Sequence, residues 1–262
     1  MLNVRIAGAL SLGAVLLCFS SAQAHSPYLL PNLFDLGKRD HVTVQGSFTE
    51  EFFEPDVAMK SDHYHVLTPT GAKLALTPVY TRDLAILEAD TKEQGTYRIS
   101  TGKRGGRTSK AAWVDGDWKF LAPKEAPPAG AKAYDVTSIT MADVYVTRGK
   151  PSDSALAPRN AGLEYRALSH PNSAFVGAEM KFEVLFDGKP LAGHTVSVYR
   201  GQQRYSDKKA FAEVITDNAG CFSFKPDKPG VYLAMSRHRP TPSPESQQGV
   251  SYTYSVVVEA TE

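Results

Sequence analysis

The chain has 262 residues, with 29 Lys and Arg against 28 Asp and Glu, two Cys and 42% apolar residues. That balance excludes a protein held to nucleic acid by cationic excess, and 22% charged residues at a mean hydropathy of −0.28 exclude a polytopic membrane protein and a disordered chain. Twenty Gly and 17 Pro supply more turn chemistry than a helical bundle needs.

The first element is an apolar run from Ile6 to Phe19, preceded by Arg5 and followed by Ser20-Ser21-Ala22-Gln23-Ala24. One positive charge, a short apolar stretch and an A-x-A end predict a secretory signal peptide over residues 1–24, cleaved after Ala24. The run is too short for a comfortable membrane span. Lipidation at Cys18 is the competing start, but Leu17 is large for the small-residue position before it. Removing 24 of the 262 residues leaves 238, takes Arg5 from the bases to give 28 against 28, and leaves Cys221 as the one cysteine. No intramolecular disulfide is then possible. Cys221 is expected as a small apolar core residue at the start of a strand.

Apolar residues then alternate at period two. Val42, Val44, Gly46 and Phe48 share one parity, as do Met180, Phe182, Val184 and Phe186. Val196 with Val198, Val231 with Leu233 and Met235, and Val256 with Val258 repeat the pattern, which is that of half-buried strands. Asp115-Gly116, Asp187-Gly188, Asn218 to Gly220 and Lys228-Pro229-Gly230 mark turns. Residues 121–133, 149–162 and 238–249 are loop or linker candidates rich in Pro, Ala, Ser or Gly. These features predict an all-β protein of two β-sandwich domains, over residues 25–160 and 161–262, with the strand-like Tyr134 to Thr147 returning to the first.

An ordered set of short motifs runs through the chain: Ala24-His25, the Gly188-Lys189-Pro190-Leu191-Ala192-Gly193 turn, the Thr216-Asp217-Asn218-Ala219-Gly220 turn, Pro229-Gly230-Val231-Tyr232, and His238. In this order they resemble the bacterial exported proteins grouped as domain of unknown function 4198. The resemblance implies two immunoglobulin- or transthyretin-like sandwiches in the periplasm. It also implies an association with nickel or cobalt uptake, as a metal-transport accessory with a membrane transporter as partner. A sandwich alone does not carry that function.

All seven histidines (25, 41, 63, 65, 170, 194 and 238) follow the predicted cleavage point. Once His25 begins the chain, its α-amine and Nδ1 can close a chelate on one ion, since both lose their protons readily to a metal at neutral pH. Nitrogen ligands in a tetragonal arrangement suit Cu(II) or Ni(II). Pro27 at mature position three has no amide proton to ionise, so further ligands must come from elsewhere. His63 and His65 form an H-x-H pair, whose side chains share one side of a strand at about 6.5–7 Å. His238 matches the family pattern and is the remaining candidate. The competing reading of His25 is a good cleavage flank that caps a strand; for His63 and His65 it is hydrogen-bonded strand histidines. His194 shares the parity of Val196 and is expected half-buried, and His170 belongs to a turn.

Thr49-Glu50-Glu51-Phe52-Phe53-Glu54-Pro55-Asp56 is either a solvated loop or an acidic, aromatic lip that attracts cations or supplies a carboxylate ligand. Lys103-Arg104-Gly105-Gly106-Arg107 lacks the Ser or Thr of a phosphate loop and is expected at a charged hairpin tip. Trp113 and Trp118 suit core packing better than a sugar platform. Nucleophile-elbow, zinc-protease, dinucleotide and reactive-cysteine signatures are all missing. The sequence thus predicts a non-enzymatic periplasmic metal-handling protein for Ni, Co or Cu, with His25, His63, His65 and His238 as ligands. The alternatives are a non-catalytic adhesion, scaffold or glycan-binding module, and a copper oxidase with a histidine brace.

Overall fold

A computed structural model of the protein describes residues 25–201 and 210–262; the predicted signal peptide lies outside the described residues. In the first half the strands are β1 (Ser26–Pro31), β2 (His41–Thr49), β3 (Val57–Ala58), β4 (His65–Leu67), β5 (Lys73–Ala75) and β6 (Val79–Tyr80), then β7 (Ala85–Asp90), β8 (Gly95–Ser100), β9 (Arg104–Val114), β10 (Asp117–Phe120) and β11 (Ala133–Arg148). One 3-10 turn (Ser154–Leu156) sits in the crossing to β12 (Leu163–Ala167), β13 (Ala174–Phe175), β14 (Met180–Phe186) and β15 (Lys189–Pro190). They are followed by β16 (Thr195–Arg200), β17 (Ala212–Ile215), β18 (Cys221–Phe224), β19 (Gly230–His238) and β20 (Gln248–Thr261). The described residues contain no α-helix, and none of their helices is long and apolar enough to cross a membrane.

The strands make three sheets. An 11-stranded sheet follows the order β17-β16-β19-β20-β11-β8-β4-β5, with β9, β10 and β13 attached beside that path. A five-stranded sheet (β1-β2-β7-β6, with β3 on β2) covers one face, and a four-stranded sheet (β12-β14-β15, with β18 on β14) covers the other. Side-chain parity shows both coverings in single strands. Leu233 and Met235 of β19 and Val257 of β20 enter the first core with Tyr28, Leu29, Val42 and Val44. Tyr232, Ala234, Tyr254, Val256 and Val258 enter the second core with Phe182, Val184, Val196 and Val198. The alternation read in the sequence is that of these inward positions.

The molecule is therefore all-β, two sandwiches built on one shared sheet. The expected boundary near 160 falls between β11 and β12, and the large sheet crosses it. Strands β11 and β20 pair in parallel from Asp135↔Gln248 to Val144↔Val257. The two-residue turns follow from their chemistry. Asp115 and Gly116 have φ of 51° and 82°, and Asp187 and Gly188 have 49° and 74°, the left-handed pair that a right-twisted hairpin requires. Two local expectations are corrected. The basic run opens β9 rather than forming a tip, because the tip is Asp115-Gly116. Cys221 is half-buried on the outer side of β18, because Phe222 and Phe224 take the inward positions; burial, together with the carboxylates of Asp217 and Glu183, pushes its thiol up.

Candidate functional site

The pairing of β1 with β2 sets Ser26 opposite Thr49, which brings His25 beside Glu50 at the rim. His25 Nε2 lies 3.5 Å from Glu50 Oε1, and both side chains are exposed. The following lip is folded, not loose. The Glu50 amide donates to Asp56 Oδ2 at 2.6 Å, the Glu54 amide to the Glu51 carbonyl at 2.8 Å, and Thr49 Oγ1 donates to the Glu51 carbonyl. The Phe52 and Phe53 ring centres lie 3.7 Å apart; Tyr28 meets Phe53 edge-on at 5.5 Å, and Tyr199 of β16 meets Phe52 at 6.0 Å. The apolar half of the lip anchors its acidic half in place. Burial pushes the Tyr28 phenol up to about 12, so at neutral pH it stays protonated.

The other predicted ligands lie apart from this rim. His63 is exposed and precedes β4, its backbone packed against Gly102, where an added Cβ would meet the His63 carbonyl at 2.6 Å. His65 is buried, and its Nδ1 is hydrogen-bonded to the His63 carbonyl at 2.8 Å. It pairs with Ser100, on the face of β8 turned to Arg159. The H-x-H pair does not converge because only its second member is in the strand. His238 ends β19 on the second-core face, with ring centres 4.5 Å from Phe186 and 5.7 Å from His194. His25 belongs to the opposite side: β1 packs on the first-core face, where Ser255 Oγ donates to the Pro27 carbonyl at 2.7 Å. His65 and His238 share a face, but β8, β11 and β20 separate their strands, about 19 Å at the usual strand spacing. Of the four expected ligands, His25 alone lies at this rim.

Of the remaining histidines, His170 and His41 have polar side-chain partners. His170 Nε2 meets Thr96 Oγ1 at 2.9 Å, and its Nδ1 accepts the Asn172 amide at 3.2 Å. His41 Nδ1 lies 3.1 Å from Asp40. His194 Nε2 is buried with no hydrogen-bond partner among the described residues. Trp118 is 4% exposed, donates Nε1–H to the Val250 carbonyl at 3.3 Å and packs on Tyr134; it is a packing residue.

Chemically, the rim fits one end of a metal site. Glu50 lies on the Nε2 side of the ring, so a chelate through Nδ1 would leave Nε2 facing a carboxylate. Nδ1 is the nitrogen that a chelate with the residue's own amine uses, and that amine exists only once the Ala24–His25 bond is cut. Sequence reasoning had the lip and His25 separately; Glu50 was missed as their link because only strand register joins them. Among the described residues no group of three or more His, Cys, Asp or Glu is placed to hold an ion. The donor set fits an open two-nitrogen chelate and not a closed site of four protein ligands.

Comparison with solved structures gives distant matches. The D0-D1 domain of intimin matches with a TM-score of 0.21 and 10% identity, over 89% of this chain and 98% of that one. A Salmonella alpha-2-macroglobulin reacted with methylamine matches at 0.23 and 12%, over 90% of this chain and 15% of that one. The ectodomain of mouse nectin-like molecule 4 matches at 0.20 and 9%, over 91% and 65%. At these scores none carries an argument. No curated protein matches the sequence. The family profile described as "Domain of unknown function (DUF4198)" matches residues 22–240. Covering well over half of the sequence, that match identifies the chain as a member of the DUF4198 family.

Proposed function

We propose that the protein is a periplasmic metal-handling accessory that carries a late first-row divalent ion (Ni, Co or Cu) as cargo on its processed N-terminus. A membrane metal transporter is the partner this role calls for. The carrying observation is His25 Nε2 at 3.5 Å from Glu50 Oε1. A carboxylate on the far nitrogen of a ligating imidazole orients the ring and raises its basicity. Amine and Nδ1 then hold the ion from one residue, and the open positions suit transfer to another ligand set.

The test is metal titration of the processed protein, its N-terminus fixed by intact mass. One ion per chain is expected, with affinity lost in His25→Ala and in a variant retaining one residue before His25. Glu50→Gln is expected to weaken binding by roughly 10-fold, the low end for an outer partner of a ligating histidine. Equal affinity of His25→Ala and the parent protein overturns the proposal. A protein without stoichiometric metal leads to the adhesion or glycan-binding reading, and copper- and reductant-dependent turnover to the oxidase.

A further inference from the structure

Across β2 from the His25 rim, on the edge where Phe48 pairs with Val57, lies a cavity of about 650 Å³, lined by Val57, Ala58, Lys60, Tyr80, Thr81, Arg82 and Arg104. That volume is in the range of small-molecule sites. Its three cations come from separate segments: Lys60 beyond β3, Arg82 beyond β6, and Arg104 at the start of β9. The chain holds them together by its backbone. The Arg104 Nε–H donates to the Lys60 carbonyl at 2.6 Å, and the Ala58 amide to the Arg82 carbonyl at 3.0 Å. Tyr80 is fixed by Ser61: its hydroxyl donates to the Ser61 carbonyl at 3.1 Å and accepts the Ser61 amide at 3.2 Å.

None of the three cations makes an ion pair with a described residue. Like charges gathered around one concavity repel each other and raise the local concentration of anions. The Arg104 guanidinium is also pre-set, its face 4.9 Å from the centre of the Phe48 ring and its Nε committed. Its terminal nitrogens form a fork for a carboxylate with little freedom left to lose. Val57, Ala58 and the Tyr80 ring add an apolar part to the lining, with Lys60 Nζ over the ring at 5.9 Å from its centre.

We propose that this cavity binds a small organic carboxylate carrying one six-membered ring, the size of one sugar acid or aromatic acid. The carboxylate meets Arg104 and Arg82, and the ring lies along Tyr80 and Val57. This site is independent of metal at His25. The test titrates the full exported chain by calorimetry and NMR with galacturonate, benzoate, neutral galactose and inorganic phosphate. Galacturonate and benzoate separate the sugar from the aromatic source of the same chemistry. One acid is expected to saturate with a Kd below about 1 mM, to weaken as salt rises, and to shift resonances near Tyr80. Galactose is expected to give no response.

Lys60 and Arg82 are exposed, so Lys60→Ala and Arg82→Glu should leave melting temperature and metal titration at His25 unchanged. Arg82→Glu is expected to weaken the acid by about 10-fold or more, the effect of losing one charge-assisted contact, and Lys60→Ala to weaken it less, through the lost attraction of one nearby cation. Arg104→Lys keeps the charge and loses the fork, and should weaken it too. Absence of binding by either acid up to about 10 mM overturns the proposal. So does binding unchanged in both Lys60→Ala and Arg82→Glu, or inorganic phosphate binding as tightly as the better acid.

Discussion

Burial holds the His194 imidazole down to about 4, and the neighbouring His238 adds to the effect. The unfolded ring, near 6.5, takes up a proton that the folded ring refuses, so stability rises with pH between 4 and 6.5. The contribution is complete above 6.5 and is lost as pH falls toward 4. Burial lowers His65, His170 and His238 in the same direction. We therefore expect urea midpoints to fall between pH 6.5 and 4, and to fall less in His194→Phe. An identical pH slope in that variant would remove His194 from the account. Little of this was legible beforehand. The parity of His194 showed that it would be half-buried, but its partner is 44 positions away and is brought beside it only by the register of β16 on β19. His25 was legible because its chemistry depends on a cleavage point and on neighbours in sequence.

Between elements, the strongest polar tie is a buried charge cluster. Asp143 of β11 is fully buried; Arg159, in the crossing to β12, donates to both its oxygens and to Ser100 Oγ of β8, and Tyr254 of β20 donates to its Oδ2 at 2.7 Å. Glu164 accepts the amides of Arg159 and Asn160. Burial would raise the Asp143 carboxyl, but the guanidiniums of Arg159 and Arg98 outweigh it and hold it at about 2. Its contribution is present above the unfolded value near 3.9 and is lost as pH falls through 2. Arg159→Ala leaves that charge buried without its main partner, which costs about 3–5 kcal/mol. Denaturant unfolding should show this loss, and the double variant with Asp143→Asn should recover part of it. Failure of the second change to recover any stability would mean that the arginine acts by packing alone. Such a cluster has no motif spacing and leaves no mark on the sequence. The hairpins at Asp115-Gly116 and Asp187-Gly188 were legible because positive φ selects their residues. The place of β11 was not, because a strand covered on both faces loses the alternation that tells its sides apart.

Across the whole molecule, both cores draw on the same pair of strands. Ala142, Val144, Val146 and Val257 serve one, while Met141, Tyr145, Tyr254 and Val256 serve the other. The two sandwiches should therefore melt together. Calorimetry is expected to show one transition whose calorimetric and van't Hoff enthalpies agree, and two resolved transitions would show that the halves are independent. Deleting residues from Gln248 onward should unfold both halves.

The parallel register of β11 with β20 also dictates the order in which the protein can be made. Position 135 must wait for position 248, more than a hundred residues of synthesis later. Until β20 emerges, neither core can close, and the nascent chain stays open to anything that must act on it as a thread.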